Sequence, residues 1–152
     1  MRRAPAAAAS LVLIALGGCG GPSGESDRSR AESLWSARVA YVGDNSRVTA
    51  LIDAIGLAGA GGYEVELSTA EAPHSMAISL EDLDQPFDAA DVCDQAILLL
   101  GLIENLDEVS ITADQDGCSS SAASASRDLG HDVKQLGRDR SSLVRHLELA
   151  SD

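Results

Sequence analysis

Basic residues are missing from the middle of this chain: no Lys or Arg lies between Val48 and Ser126. The same stretch carries fifteen Asp and Glu residues, in a chain whose formal net charge is −13 at pH 7. Proteins that bind nucleic acids need cationic side chains to neutralise phosphates. The composition therefore argues against a nucleic-acid partner and against electrostatic attachment to anionic lipid.

Aromatic residues are scarce as well, being limited to Trp35, Tyr41, Tyr63 and Phe87. Sugar-binding and base-stacking sites usually depend on aromatic platforms, so both kinds of site are disfavoured. The core must be built from Leu, Ile, Val and Ala. The chain is long enough for one such core and too short for two.

Catalytic and metal-binding motifs are also lacking. The sequence has no G-x-S-x-G, S-x-x-K or H-E-x-x-H motif, and its histidines are far apart. Asp114-x-Asp116-Gly117 resembles a calcium turn, but position 125 is Ala where that loop needs Glu. The acidic cluster of Asp82, Asp84 and Asp88 is typical of a solvated surface. We therefore predict no catalytic residue, no metal and no cofactor.

A leader pattern occupies the first residues. Met1-Arg2-Arg3 is basic, Ala4 to Leu16 is mostly apolar, and Leu16-Gly17-Gly18-Cys19 follows. The apolar run is shorter than the roughly 20 residues that span a bilayer, and the order of regions is typical of a signal peptide. The last four residues resemble the lipobox of bacterial lipoproteins, which implies cleavage after residue 18 and a lipid on Cys19. The alternative is an ordinary secretory peptide with an incidental cysteine.

Residues 19–33 are predicted to form a flexible tether, because Gly20 to Arg30 is rich in Gly, Ser and charged residues. Loss of residues 1–18 removes two arginines from a net charge of −13 and leaves −15. The globular domain is predicted over residues 34–118.

Apolar periodicity predicts the first main helix of this domain, since Val48, Leu51, Ile52 and Ile55 share one helical face. A polar residue among 44–46 can cap its start, and Gly56 can end it. The glycines at 56–62 follow a helix and precede a strand. A phosphate-binding loop needs the opposite order, so they indicate a connector.

Two alternating segments, residues 63–69 and 75–81, predict a hairpin, and residues 109–113 predict a third strand. Residues 89–105 contain the most apolar run after the leader and predict the core helix, with Asp88 as its cap. The predicted fold class is α+β, with a small antiparallel sheet of a hairpin plus a third strand, covered by two main helices. Residues 119–152 are predicted to be a serine-rich linker and short C-terminal helices that pack on the domain.

Two cysteines besides Cys19, at positions 93 and 118, form an even pair in a chain with an export signal. From Cys93 the core helix rises about 18 Å and the third strand returns about 20 Å, which brings Cys118 back near Cys93. A disulfide is predicted, with two free buried thiols as the alternative. A redox-active C-x-x-C pair is absent.

A family resemblance rests on Tyr41-Val42-Gly43-Asp44-Asn45-Ser46, on the strand that begins Gly62-Tyr63, and on Leu106-Asp107-Glu108-Val109. These stretches resemble a bacterial domain of unknown function, number 4825. The resemblance covers roughly residues 35–114 and implies an extracytoplasmic, membrane-tethered domain with no assigned reaction. The serine-rich stretch and the pair Cys93 and Cys118 depart from the family pattern.

Taken together, these features predict a lipoprotein held by Cys19 at the extracytoplasmic side of the cell membrane. We expect a non-enzymatic binding, sensing or accessory module, with an envelope or membrane protein as partner. The alternatives are an envelope hydrolase with paired carboxylates and a cation-responsive element. The candidate functional motif consists of Tyr41, Gly43, Asp44, Asn45 and Ser46, for which the competing interpretation is a helix cap with a tight turn.

Overall fold

The computed structural model describes residues 23–83 and 86–151. The predicted leader, Cys19 and Asp84 lie outside the described residues. Within the described residues, the α-helices are α1 (Ser23–Ser36), α2 (Asn45–Ile55), α3 (Ala89–Leu102), α4 (Ala122–Leu129), α5 (Gln135–Arg138) and α6 (Arg140–Ala150), and a short 3-10 helix spans Leu57–Ala60. The strands are β1 (Gly62–Ser68), β2 (Ser75–Glu81), β3 (Glu108–Ala113) and β4 (Asp116–Ser121).

The four strands form one mixed sheet in the order β1-β2-β3-β4. β1 pairs with β2 and β3 pairs with β4 in antiparallel fashion, whereas β2 and β3 are parallel. One row across the sheet consists of Val65, Ile78, Ile111 and Cys118. The fold is α+β as predicted, and the predicted hairpin is confirmed.

The wholly antiparallel sheet that the sequence predicted is wrong. α3 lies between β2 and β3 and carries the chain back to the end of the sheet where β2 began, so β3 runs in the same direction as β2. The prediction also missed β4, because Asp116–Ser121 has no apolar alternation.

The core lies between the sheet and α3. α3 packs on β3 and β4, and α2, α4 and α5 pack against α3. From the sheet, Met76, Ile78 and Ile111 face this core and are at most 1 % exposed. The apolar run of α3 supplies the opposite side, with most of its side chains buried.

The two main helices were predicted correctly in type and near their boundaries. In α2 the buried residues are Val48, Leu51, Ile52 and Ile55, and Gly56 ends the helix with φ of 104°. α3 begins after its predicted cap, Asp88, whose carboxylate accepts hydrogen bonds from the Ala90 and Asp91 N–H groups. It ends at Leu102 instead of Asn105.

The flexible tether predicted over residues 19–33 is wrong from Ser23 onward, because α1 occupies Ser23–Ser36. Ala31 and Leu34 are fully buried, and α1 packs on α6. The local composition of this segment is typical of a solvated coil. The apolar surface against which α1 packs comes from the other end of the chain, so the sequence of the segment itself does not reveal it.

The predicted serine-rich linker is also wrong, since residues 119–121 belong to β4 and α4 follows directly. Three short helices follow β4 within the described residues. In the structure, α4 and α5 pack on α3, and α6 packs on α5 and α1. Gly137 lies so close to α3 that a Cβ atom there would come within 2.5 Å of the Gly101 carbonyl oxygen.

A buried lysine completes this contact. Lys134 Nζ donates hydrogen bonds to the carbonyl oxygens of Leu100, Ile103 and Leu106, at 2.6, 2.8 and 2.6 Å. The last carbonyls of a helix have no partners within the helix, so a lysine there satisfies them and suits the helix dipole. Lys134 thereby fastens the C-terminal region to the end of α3.

No helix in residues 23–83 and 86–151 is long and apolar enough to cross a membrane.

Candidate functional site

The predicted functional motif, residues 41–46, forms the turn into α2. The Asp44 carboxylate accepts the Arg47 N–H at 3.2 Å, and the Asp44 N–H donates to the Tyr41 carbonyl at 3.0 Å. Asn45 and Ser46 are exposed in the first turn of the helix. The competing interpretation of a helix cap therefore accounts for Asp44.

The same turn is anchored to the loop that follows α3. The Val42 N–H donates to Asn105 Oδ1 at 2.7 Å, and Val42 is fully buried. Three residues earlier, the Val39 N–H donates to the Leu102 carbonyl at 2.9 Å. Asn105 was predicted to stop the core helix, whereas its side chain instead holds the motif in place.

Tyr41 and Gly43 are coupled through a close contact. A Cβ atom on Gly43 would lie 2.5 Å from Cε1 of the Tyr41 ring, so any larger residue there would require the ring to move. The Tyr41 side chain is nevertheless 54 % exposed. The motif therefore presents an aromatic surface beside the start of α2.

A groove lies next to this turn, between the start of α2 and β1, and we call it the α2–β1 groove. Its volume is about 560 Å³, and no lining residue is charged. The lining residues are Gly43, Asn45, Val48, Thr49, Val65, Leu67 and Thr69. Two of the motif residues, Gly43 and Asn45, thus reach a cavity within the size range of ligand sites.

The apolar side of this groove comes from β1. Val65 and Leu67 are only partly buried, although their partners on β2, Ile78 and Met76, are each 1 % exposed. The alternation of apolar and polar residues in the two strands places all four residues on the same face, and it gives no sign that the β1 pair is less covered than the β2 pair.

The other end of β1 is closed against α2. Tyr63 Oη donates a hydrogen bond to Asp53 Oδ1 at 2.9 Å. Burial and the adjacent Asp53 carboxylate both disfavour the phenolate, and they raise the pKa of Tyr63 to about 12. This tyrosine therefore keeps its proton and holds α2 to β1 at the closed end of the groove.

The opposite face of the sheet, which we call the open face, carries small polar and acidic residues that are exposed or partly exposed. By register they are Glu64, Glu66, Ser75, Ala77, Ser79, Glu108, Ser110, Thr112, Ser119 and Ser121. A shallow depression of about 500 Å³ lies over β2, β3 and β4 on this side. The face is acidic and has no large side chain other than glutamate.

The predicted cysteine pair is joined. A disulfide links Cys93 on α3 to Cys118 on β4, with the two Cα atoms 5.4 Å apart. It lies toward the β4 side of the sheet, away from the α2–β1 groove. The disulfide is therefore a structural link between the core helix and an edge strand.

The metal-binding and acid–base side chains of the described residues are dispersed. Across residues 23–83 and 86–151, no three His, Cys, Asp or Glu side chains are grouped so that they could hold a metal ion. The Asp139 carboxylate caps α6 by accepting the Ser141 N–H, and hydrogen bonds from the Ser141 and Ser142 hydroxyls lower the pKa of its carboxyl group. That carboxylate has a structural role.

Comparison with known proteins gives one family. Residues 34–125, more than half of the chain, match the model of a family described as a domain of unknown function, DUF4825. No curated protein and no solved structure matches the chain. The match ends in the middle of α4 and before α5 and α6.

Proposed function

We propose that this chain, which belongs to the DUF4825 family, is a lipid-anchored, non-enzymatic binding module on the extracytoplasmic side of the cell membrane. Cys19 carries the lipid in this proposal, and the domain presents its binding surface to another envelope protein. The observation that most favours a binding role is the α2–β1 groove, where a turn built from the family-type motif meets half-covered apolar side chains.

The exposure of the acidic residues favours a binding role over hydrolysis. A hydrolytic carboxylate pair usually has one partly buried acid with a raised pKa. Among the residues whose side chains the structure describes, Lys134 and Ser142 are the buried polar residues, and every Asp and Glu is at least partly exposed. The many carboxylates therefore fit a charged surface better than an acid–base pair.

The anchoring half of the proposal is tested with Cys19→Ala. Cells expressing the parent chain should show it in the membrane fraction, released by detergent and labelled by an alkyne-tagged fatty acid. Cys19→Ala should lose the label and the detergent-dependent release. Identical fractionation and labelling of the two forms would overturn the anchor.

The chain offers a matched control for this experiment. The double variant Cys93→Ser with Cys118→Ser also loses cysteines but keeps Cys19. It should remain labelled and membrane-bound, which separates lipidation at one cysteine from a general effect of removing cysteines. The binding half is tested by cross-linking the anchored protein in intact envelopes, where the absence of any cross-linked protein would count against a partner.

A further inference from the structure

β1 is an edge strand, because it has β2 as a neighbour on one side and no strand on the other side within the described residues. Alternate N–H and C=O groups of an edge strand point away from the sheet and can pair with another extended chain. β1 is seven residues long, which gives room for several such pairs.

The two faces of β1 differ in what they would offer to an added strand. On the helix side, Val65 and Leu67 are partly buried and border the α2–β1 groove. On the open face, Glu64 and Glu66 are exposed. Side chains of paired strands that lie opposite one another point to the same face. An added strand would therefore place alternate residues in the groove, against Val65 and Leu67, and beside the carboxylates of the open face.

Charge further defines the occupant. No Lys or Arg occurs from position 48 to 126, so the surroundings of β1 have no basic residue from this stretch to pair with Glu64 and Glu66. The residues that line the groove are uncharged. The complementary ligand thus carries Lys or Arg at every second position and apolar residues between them.

A second copy of this chain does not fit the same edge. Antiparallel pairing of β1 with itself would bring glutamates of two chains opposite one another, and like charges directly opposite are destabilising. Charged residues on edge strands are a common protection against self-association. The charge pattern that opposes self-pairing favours a basic partner.

We propose that β1 accepts an extended segment of a partner protein, with alternating basic and apolar residues, as a fifth strand of the sheet. Its apolar side chains enter the α2–β1 groove and its basic side chains pair with Glu64 and Glu66. This inference rests on the proposed binding function and names the chemistry of the partner segment. Strand addition of this kind takes its affinity from backbone hydrogen bonds and its specificity from alternate side chains.

Peptide binding tests the proposal on the purified full chain. The probe is a fluorescently labelled heptapeptide in which lysine and valine alternate, followed by anisotropy. It should bind at least about tenfold more tightly than a peptide of the same composition with lysines and valines in separate blocks. An alternating glutamate and valine peptide should not bind. Equal affinity for the alternating and block peptides would overturn the proposal, because it would mean charge attraction alone.

Backbone methylation tests the strand geometry. N-methyl groups on one set of alternate amides of the heptapeptide should abolish binding, since those amides face β1, whereas methylation of the other set should leave it unchanged. Amide hydrogen exchange in β1 should slow when the unmethylated peptide is bound. Insensitivity to both methylated sets would exclude strand addition.

Protein variants locate the site. Glu64→Lys with Glu66→Lys should lose the lysine peptide and gain the glutamate peptide. Glu108→Lys, which changes the same open face on β3, should retain the parent affinity. Thr49 is exposed on α2, so Thr49→Trp should fold, partly fill the groove and weaken binding about tenfold or more. Unchanged peptide affinity both in the Glu64→Lys and Glu66→Lys double variant and in Thr49→Trp would place the binding site elsewhere.

The outcome is separable from that of the proposed function, because purified protein needs no anchor. Suppose that Cys19→Ala behaves as proposed and that an envelope partner cross-links to the parent chain. If the double variant Glu64→Lys with Glu66→Lys still forms that cross-link, the strand-addition site is wrong, whereas the proposed binding function is retained. If the heptapeptide binds but Cys19→Ala remains membrane-bound, only the anchor is wrong.

Discussion

The two edges of the sheet are held in different ways. β4 is linked to α3 by the Cys93–Cys118 disulfide, and the Ala122 N–H that follows it donates to the Asp107 carbonyl at 2.8 Å. β1 depends on its pairing with β2 and on the hydrogen bond from Tyr63 to Asp53. Cross-links are therefore concentrated on the β4 side, and β1 is the less constrained edge.

The C-terminal helices reinforce this difference. Lys134 pairs with the end of α3, and Arg138 pairs with Glu104 and Asp132 at the surface. Regions with fewer buried contacts and cross-links open at lower free energy, and binding surfaces are commonly drawn from them. We therefore expect the half built around α3 and β4 to set the stability of the fold and the β1 edge to remain open to a ligand.

The largest expected effect comes from opening the disulfide. Replacing Cys93 and Cys118 with Ser should lower the free energy of unfolding by about 3.5 kcal/mol, on the loop-entropy model for a separation of 25 residues. Urea denaturation followed by the fluorescence of Trp35, the single tryptophan, measures this loss.

Reduction provides the control for the disulfide. Adding a reductant should destabilise the parent chain by the same amount and should leave the double Ser variant unchanged. A loss below about 1 kcal/mol would mean that the β4 edge is held by packing alone, and the contrast between the edges would be weaker than proposed.

Lys134 is expected to have the second largest effect. Lys134→Met keeps most of the side-chain volume but leaves three buried carbonyl groups without their donor, so it should cost about 2 kcal/mol at neutral pH. Arg145→Met, at an exposed position on α6, is the matched control and should change the stability by less than about 0.5 kcal/mol. An equal loss of stability in both variants would mean that Lys134 does not hold the C-terminal region to α3.

The same lysine gives a pH dependence with a defined sign. Burial, opposed in part by nearby carboxylates, lowers the pKa of Lys134 from 10.5 to about 8. Between pH 8 and pH 10.5, Lys134 is protonated to a greater extent in the unfolded chain than in the folded chain. The stability that this lysine contributes is therefore complete above its unfolded pKa of 10.5 and is lost as the pH falls through 8. The stability difference between parent and Lys134→Met should therefore grow from pH 8 to 10.5. A stability difference that stays constant between pH 8 and pH 10.5 would contradict the lowered pKa of Lys134.

The smallest stability effect is expected at β1. Glu64→Gln with Glu66→Gln changes exposed side chains on the open face, and the free energy of unfolding should move by less than about 0.5 kcal/mol. The same pair should nevertheless weaken the alternating lysine and valine peptide several-fold. A large loss of stability would mean that β1 is as firmly integrated as β4.

Sequence patterns predicted the elements that bury only one face and whose apolar pattern lies within one short segment. The four apolar positions of α2, its Asp44 cap and the alternating strands of the hairpin each carry their signal within about ten residues. The disulfide was predictable too, because one helix and one returning strand separate its two cysteines. These features need little knowledge of the rest of the fold.

The missed elements depend on distant partners. α1 is polar in composition, yet Ala31 and Leu34 are fully buried, and the helix packs on α6 and α2. β4 is a run of serines whose strand conformation comes from pairing with β3. No local pattern marks either element, so tertiary contacts decided both.

The candidate site was predictable only in part. Residues 41–46 were identified by their motif, and Gly43 and Asn45 do line the α2–β1 groove. Val65 and Leu67 were assigned to the core, because alternation shows which face a residue occupies and not how completely that face is covered. The role of Lys134 was equally hidden, since its three partners lie 28 to 34 residues earlier in the chain.

The position of Lys134 has a practical consequence for producing the domain. A recombinant fragment trimmed to residues 34–125, the extent of the family match, would omit Lys134 and Gly137 together with α6. The last turn of α3 would then face water with unpaired carbonyls, beside apolar surface that the missing helices normally cover. We expect such a truncation to aggregate, and expression through Ala150 to keep the protein monodisperse.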